Sequence, residues 1–165
     1  MKVYTAYMSV GSNIGDRQAN CVNGINALVE ISEAELIGKS QLYQTEPLYV
    51  ENQEWFINAV FAIKTRLLPL ELFHLAKKIE TQFGRDLSAQ RYGPRVLDLD
   101  ILIVDNMIVR TSQLTLPHPK LHERRFVLQP FADIAPNLNH PDLNKTIKEL
   151  LFNLDDKNKK VYSYT

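Results

Sequence analysis

The sequence predicts an α+β fold: a ferredoxin-like βαββαβ core, with an antiparallel sheet, helices packed on it and a C-terminal extension. Two segments carry apolar residues at helical spacing, and four others have strand-like patterns. Their order is strand, helix, strand, strand, helix, strand, which places both helices on one face of the sheet. A chain of 165 residues is long enough to bury a core, so residues 1–165 are expected to form one domain.

The first half of the core follows from residue spacing. Residues 3–10 alternate as a strand, and the turn at Gly11–Asp16 leads into a helix that runs to about Ile31. A second strand is expected at about Glu35–Tyr43. The residues of Thr45–Glu54 are polar and rich in turn formers, which indicates a loop.

The second half of the core repeats the pattern. A third strand is expected over Phe56–Thr65, and a second helix begins at Pro69 and ends at Gly84. A loop over Arg85–Pro94 then leads into the last strand of the core.

The remainder of the chain is expected to be less regular. Pro117, Pro119 and Pro130 indicate an irregular segment, which a C-terminal helical piece follows. The polar, charged tail from Asp155 is expected to be a solvated end.

Composition narrows the class of protein. Nineteen basic residues balance nineteen acidic ones, which argues against nucleic-acid binding through a basic surface. Cys21 is the single cysteine, so an internal disulfide is excluded, and its helix is expected to bury it. No apolar run approaches the length of a membrane span, and the N-terminus lacks a signal-peptide profile. We therefore expect a cytoplasmic protein with no membrane partner. The oligomeric state stays open, a monomer included.

The most informative segment is RYGPRVLDLDIL, residues 91–102. On a strand, Asp98 and Asp100 share one face while the aliphatic residues between them face the core. Paired carboxylates repel each other unless one is protonated or a cation lies between them. Arg91 and Arg95 suit phosphate oxygens, so the segment indicates a site for magnesium and a nucleotide. The alternative is a solvated edge strand whose aspartates form salt bridges with the arginines.

This segment occurs together with VGSNIGDR, YQTEPL, FINAV and LPHPKLHERRFVL. In combination they resemble the 6-hydroxymethyl-7,8-dihydropterin pyrophosphokinases of folate biosynthesis, in the right order from about Tyr4 to Pro136. The resemblance implies transfer of pyrophosphate from ATP to the hydroxymethyl group of 6-hydroxymethyl-7,8-dihydropterin, with release of AMP. It also implies a requirement for two Mg²⁺ ions and agrees with the predicted fold.

The resemblance also implies roles for the residues at matching positions. The catalytic residues are Arg85, Arg95, Asp98 and Asp100, of which the two aspartates also bind metal. The ATP-binding residues are Lys77, Glu80, Arg85, Tyr92, Arg95, Ile101, Gln113, Thr115, His118, Pro119 and Arg124. The pterin-binding residues are Thr45, Glu46, Pro47, Leu48, Phe56, Asn58, Asp98 and Phe126.

Several of these residues have simpler interpretations when the resemblance is set aside. Arg85 follows the second helix, where a cation interacts favourably with the helix dipole. Lys77 and Glu80 are one helical turn apart and could be a surface ion pair. Phe56 and Phe126 could be ordinary core residues.

Two residues favour a binding site more directly. His118 is held extended between two prolines, which suits a contact to polyphosphate. Asn58 lies on a mostly apolar strand, where a buried amide requires hydrogen-bond partners.

The chain also departs from the common pattern of the family. Tyr92 replaces a tryptophan, Lys77 a glutamine, and Phe56 a tyrosine found in some members. Leu87 and Gln113 replace basic residues. These changes reduce the positive charge around the triphosphate and are expected to weaken nucleotide binding without removing the activity.

Three other classes of function are alternatives to a pyrophosphokinase. A regulatory domain that only binds nucleotide or pterin would not need paired metal ligands. An RNA-binding module of the same topology would carry aromatic motifs on its sheet, which this sequence lacks. A metal-dependent phosphohydrolase would use water as the nucleophile, and only the pterin-pocket residues speak against it. The sequence has no G-x-x-x-x-G-K-[ST] motif, so a P-loop is excluded.

Overall fold

The computed structural model describes residues 1–86, 88–155 and 159–165. The elements in chain order are β1 (Tyr4–Ser12), α1 (Arg17–Ile31), β2 (Glu35–Lys39), β3 (Tyr43–Thr45), β4 (Phe56–Thr65), α2 (Pro69–Gln82), β5 (Asp98–Val104), β6 (Val109–Arg110), β7 (Thr115–Leu116), α3 (Arg125–Ile134), α4 (Ile147–Phe152) and β8 (Val161–Ser163). A short 3-10 helix, Leu121–Glu123, precedes α3.

Within these described ranges, the main sheet has six strands. Its order is β5-β1-β4-β3-β8, and β2 pairs with a different part of β4 from the part that β3 pairs with. Every pairing in it is antiparallel. Strands β6 and β7 form a separate two-stranded hairpin. The predicted α+β core with an antiparallel sheet is therefore confirmed.

The predicted second strand is interrupted, and the prediction of one strand over Glu35–Tyr43 was wrong. Ser40 N–H donates to the carbonyl of Val60 at 2.8 Å, while the Ser40 hydroxyl accepts the N–H of Val60 at 3.0 Å. Because a side chain takes the place of a backbone acceptor here, the regular ladder stops and restarts as β3.

The two core helices begin and end where capping chemistry predicts. Asp16 accepts the N–H of Ala19 at 3.0 Å at the start of α1. Helix α2 begins with Pro69, and Gly84 lies beyond its end with a φ of 94°, a left-handed conformation that favours glycine. Across the described ranges, no helix is both long and apolar enough to cross a membrane.

Helices α1 and α2 both pack on one face of the sheet, as predicted. The core between them consists of buried residues from β1, β4, β5 and both helices, among them Met8, Phe61, Leu99, Ile25 and Leu72. Alternation along β5 sends Leu99 into this core and leaves Asp98 and Asp100 on the opposite face.

Helices α3 and α4 pack on the opposite face but cover only part of it. Their core contains Val60, Leu102, Val127, Phe131 and Leu150. The rest of this face carries the aspartates of β5 and is bordered by loops, so the uneven helix cover creates the space for a site.

Two predictions for the C-terminal part were wrong. Pro130 lies inside α3 rather than in an irregular segment. The helix tolerates the missing N–H because its apolar face, including Val127 and Phe131, is buried against the sheet. The tail is also not simply solvated: Val161–Ser163 pairs with β3 and protects that edge of the sheet. Residues 156–158 lie outside the described residues.

The buried thiol of Cys21 gives a test of this packing. Burial raises the pKa of Cys21 to about 12, although Arg17 acts in the opposite direction. The thiol is therefore protonated at pH 8, and we expect no reaction with a disulfide reagent such as DTNB until the protein unfolds. Unfolding in guanidinium chloride should release one reactive thiol per chain. Rapid labelling of the folded protein would contradict the predicted packing of α1.

Candidate active site

A cavity of about 300 Å³ opens on the sheet face opposite α1 and α2. Its floor is formed by β1, β4 and β5. Three loops form its walls: loop A (46–54), loop B (85–95, of which residue 87 lies outside the described residues) and loop C (117–124). The cavity therefore lies where the helices of the second layer leave the sheet uncovered.

Strand register aligns the polar residues of the floor. Asp98 pairs with Gly11, and Gly11 pairs in turn with Asn58, so the three lie in one row across β5, β1 and β4. A Cβ atom on Gly11 would collide with Oδ1 of Asn58. Asn58 Nδ2 donates to Thr45 Oγ1 at 2.5 Å. Glycine in the middle of this row thus leaves the space that the Asn58 amide occupies.

Asp98 and Asp100 face the cavity and are partly exposed to it. Arg95 Nη1 lies 3.6 Å from Asp98 Oδ1, and Lys77 Nζ lies 3.4 Å from Asp100 Oδ1. Burial and the charge of Asp100 raise the pKa of Asp98. Burial also acts to raise the pKa of Asp100, but nearby cations, Lys77 foremost, outweigh it, and that pKa is lowered. The two carboxylates repel each other, and a bound divalent cation would relieve this repulsion.

Glu80 organises the cations on one side of the cavity. Its side chain has no exposed surface. Oε1 accepts the N–H of Leu99 at 2.8 Å and Lys77 Nζ at 2.9 Å, and Oε2 accepts a hydrogen bond from Arg85. Burial and nearby Arg95 lower the pKa of Arg85. Glu80 therefore positions Lys77 and Arg85, which line the cavity.

His118 presents a defined tautomer. Its Nδ1 accepts the N–H of Lys120 at 3.1 Å, so a neutral ring carries its proton on Nε2. Burial lowers the pKa of His118, although Asp100 acts to raise it. The backbone N–H of His118 donates to the carbonyl of Leu102 at 2.8 Å, which fixes the residue beside β5. His118 is thus a neutral hydrogen-bond donor at neutral pH.

Arg124 and aromatic side chains border another part of the cavity. Arg124 is 9% exposed, and its Nε is buried without a hydrogen-bond partner among the described residues. Its guanidinium carbon lies 5.5 Å from the ring centre of Phe126 and 5.7 Å from that of Tyr49. A buried donor without an acceptor is suited to an anionic ligand.

The structure brings most of the predicted site residues together. Those lining the cavity are Thr45, Glu46, Pro47, Leu48, Phe56, Asn58, Lys77, Arg85, Tyr92, Arg95, Asp98, Asp100, His118, Pro119, Arg124 and Phe126. Four others do not line it. Glu80 is buried beneath the cations, Ile101 lies in the core under α1 and α2, and Gln113 contacts His74 at 3.2 Å. Thr115 lies in the β7 hairpin strand.

Sequence reasoning missed the contacts that join the loops at the mouth. The rings of Tyr49 and Tyr92 lie 4.2 Å apart between their centres. Lys120 Nζ donates to both hydroxyls, at 3.4 and 3.3 Å, so loops A, B and C meet at one point. Tyr49 and Lys120 are 71 positions apart, and no local pattern marks such a pair.

Asn13 was also missed, although it lies in the quoted VGSNIGDR segment. It is 3% exposed, and its Oδ1 accepts the N–H of Arg95 at 2.7 Å. Its Nδ2 donates to Gln53 Oε1 and to the carbonyl of Glu54, both at 2.9 Å. Gln53 Nε2 in turn donates to the carbonyl of Tyr92 at 2.9 Å. The sequence signal that could have identified Asn13 is a polar residue in a turn directly after a buried strand.

The cavity thus combines paired carboxylates, several cations and a pocket with aromatic and amide groups. This combination is typical of enzymes that transfer a phosphoryl or pyrophosphoryl group from a nucleotide to a small molecule.

The comparisons with known proteins identify the family. The chain matches the family 7,8-dihydro-6-hydroxymethylpterin-pyrophosphokinase (HPPK) over residues 7–136, and it belongs to that family. The 2-amino-4-hydroxy-6-hydroxymethyldihydropteridine pyrophosphokinase of Aquifex aeolicus is 41% identical over 145 residues, which cover 88% of this chain and 89% of that protein. The resemblance described above is therefore confirmed.

Longer proteins match as well. The folic acid synthesis protein fol1 of Schizosaccharomyces pombe is 37% identical over 96% of this chain, but the match covers only 21% of fol1. The chain thus spans about a fifth of that relative. A crystal structure of HPPK-DHPS from Plasmodium falciparum with pteroate superposes with a TM-score of 0.74. At 18% identity, covering 92% of this chain and 42% of that one, it shows the same fold.

The position of Glu80 gives a stability test. Glu80→Ala would leave Lys77 and Arg85 without their shared anion and the N–H of Leu99 without an acceptor. We expect the free energy of unfolding to fall by about 3 kcal/mol or more in urea titrations, because a partner is removed from a buried ion pair. Glu123→Ala, which removes a carboxylate that is 59% exposed, is the control and should change stability little. Equal effects of the two substitutions would contradict the role given to Glu80.

Proposed function

We propose that this protein transfers pyrophosphate from ATP to the hydroxymethyl group of 6-hydroxymethyl-7,8-dihydropterin and releases AMP, a step of folate biosynthesis. The observation that carries the proposal is the cavity that places the Asp98–Asp100 pair and its cations beside the Asn58 pocket. Membership of the HPPK family supports the same reaction.

The pterin is proposed to bind at the Asn58 end. Asn58 Nδ2 donates one of its two N–H groups to Thr45, which leaves the second N–H and the acceptor Oδ1 for the polar edge of the ring. Phe56 and Phe126 line the same cavity and offer flat apolar surfaces to a bicyclic ring. Backbone groups of loop A at Glu46, Pro47 and Leu48 complete the proposed pocket.

The polyphosphate is proposed to bind at the cationic end. Lys77 and Arg85 are held by Glu80, and Arg95 is fixed through its backbone by Asn13. Arg124 has a buried donor, Nε, with no hydrogen-bond partner in the part of the chain that the structure describes. His118 adds a neutral donor. The proposed ATP site also includes Tyr92 and Pro119, which line the cavity. It further includes four residues that do not line the cavity and are proposed because they match the family pattern: Glu80, Ile101, Gln113 and Thr115.

Asp98 and Asp100 are proposed to hold two Mg²⁺ ions. Two adjacent carboxylates on one strand face fit a hard cation, and the raised pKa of Asp98 reflects a burial and repulsion that a cation would relieve. Across the described ranges, no group of three or more His, Cys, Asp or Glu residues could hold a metal ion, so phosphate oxygens and water would supply the other ligands. When bound, Mg²⁺ neutralises charge on the phosphates.

The chemistry needs one bond formed and one broken. The hydroxymethyl oxygen attacks the β-phosphorus in line, and the bond from that phosphorus to the α–β bridging oxygen breaks as AMP leaves. The hydroxyl proton must be removed, and the carboxylate of Asp98, on the cavity side of β5, is the candidate base. Arg85 and Arg95 stabilise negative charge that builds on the β-phosphate and on AMP.

Further expectations remain proposals. They are a single catalytic domain over residues 1–165, a cytoplasmic location, and small-molecule substrates without nucleic acid or membrane as partners. The equal numbers of acidic and basic residues support the absence of a nucleic-acid partner.

The metal assignment predicts the effect of removing one carboxylate. Asp100→Asn should lower kcat by about a thousandfold or more while the fold is retained, since the charge that faces the metal and phosphates is lost. AMP formation from ATP and Mg²⁺, with and without the pterin, is the measurement. Asp142→Asn, a surface change with a side chain that is 47% exposed, is the control.

Two results would count against this assignment. Near-normal turnover of Asp100→Asn would rule out the two-metal site. AMP or phosphate release that does not depend on the pterin in the unaltered protein would indicate a hydrolase instead.

The pterin pocket predicts a different signature. Asn58→Ala should raise the KM for the pterin by about tenfold to a hundredfold, because the hydrogen bond of a buried amide is lost. The KM for ATP should stay within about twofold of its original value, since Asn58 does not contact the cationic end. Asn137→Ala, an exposed change in the turn after α3, is the control. Parallel changes in both KM values would contradict a separate pterin pocket.

A further inference from the structure

The last seven residues, 159–165, take no part in the proposed chemistry and lie beyond the family match, which ends at residue 136. We call them the tail segment. Its strand β8 pairs with the outer edge of β3, with Thr45 opposite Val161 and Tyr43 opposite Ser163. On the other side β3 pairs with β4, where Thr45 lies opposite Phe56. Thr45 is therefore held between two strands directly before loop A begins.

Backbone hydrogen bonds extend this pairing into loop A. The N–H of Glu46 donates to the carbonyl of Lys160 at 3.0 Å, and the N–H of Lys160 donates to Glu46 Oε2 at 3.1 Å. At the other end of the segment, the N–H of Tyr164 donates to the carbonyl of Leu42 at 2.9 Å. The tail segment thus fixes both the backbone and the side chain of Glu46.

Side chains of the tail segment reach the rest of loop A. Lys159 Nζ donates a hydrogen bond to Glu51 and lies 4.0 Å from Glu46 Oε1. The rings of Tyr162 and Trp55 are nearly parallel, with 9° between their planes and 6.2 Å between their centres. A basic tail segment therefore contacts an acidic loop near its start, at its middle and directly after its end.

We propose that the tail segment positions loop A for binding of the pterin. The inference rests on the proposed function, in which the backbone of Glu46–Leu48 contacts the pterin ring. Without the tail segment, β3 becomes an open edge and Glu46 loses two hydrogen bonds. Loop A would then have to be ordered when the pterin binds, and that ordering lowers affinity. At the ATP end, Lys77 and Arg85 are held by Glu80, whose hydrogen-bond partners lie in α2, loop B and β5 rather than in loop A.

The closing experiment uses full-length variants that weaken these contacts. Lys159→Glu places a negative charge beside Glu46 and Glu51, and Lys148→Glu, the same change at an exposed position of α4, is the matched control. Tyr162→Pro removes a backbone N–H from the pairing of β8 with β3. The values of kcat and of KM for each substrate are measured by AMP formation, and thermal unfolding shows that each variant is folded.

We expect the KM for the pterin to rise by about fivefold in Lys159→Glu and by about tenfold in Tyr162→Pro. The KM for ATP and kcat should stay within about twofold of the original values. The double variant Lys159→Glu/Glu51→Lys should recover part of the lost affinity, because it restores an ion pair with reversed charges. Such a recovery would not follow from a general loss of stability.

Two results would overturn the inference. One is a KM for the pterin that is unchanged in folded Lys159→Glu and Tyr162→Pro. The other is an equal loss for both substrates in step with a fall in unfolding temperature. Asn58→Ala, measured in parallel, separates this failure from that of the proposed function. If Asn58→Ala alone raises the KM for the pterin, only the role of the tail segment is wrong, and if no variant raises it, the pterin pocket itself is wrong.

Discussion

The buried carboxylate of Glu80 is the interaction on which the cationic half of the site depends. A lone buried carboxylate would be costly, but this one accepts hydrogen bonds from Lys77, Arg85 and the N–H of Leu99. The bond to Leu99 joins α2 to β5 at the residue between the two aspartates. Glu80 thereby fixes the distance between the cations and the carboxylates of β5, which neither element could set alone.

The walls of the cavity are held in a different way from its floor. The floor consists of the paired strands β1, β4 and β5 with a buried core behind them, whereas the loops depend mainly on one another. Asn13 and Gln53 tie loop A to loop B, and Lys120 joins Tyr49 and Tyr92 at the mouth. Such isolated side-chain contacts open more readily than strand pairing does. The site therefore has a rigid base, on which charge is positioned, and walls suited to admit a ligand.

The sequence was sufficient where one short-range pattern decides the structure. A period of two placed Asp98 and Asp100 on one face, and Pro69 and Gly84 marked the ends of α2. The sequence was insufficient where contacts between residues far apart in the chain decide the structure. Ser40 breaks a strand because its hydroxyl meets Val60 of another strand. The pairing of the tail segment with β3 depends on an edge that only the assembled sheet creates. Glu80 was predicted on the site, but its burial beneath two cations was not visible in the sequence.

The row formed by Asp98, Gly11 and Asn58 relates the two halves of the proposed reaction. Its outer members are separated by two strand spacings, about 10 Å between backbones. That is a distance which a bicyclic ring with a one-carbon arm can span, from an amide at its edge to a phosphate held beside the aspartates. Gly11 in the middle adds no side chain of its own and leaves the Asn58 amide its place in the row. In the proposed reaction, strand pairing would therefore set the geometry between acceptor and phosphate.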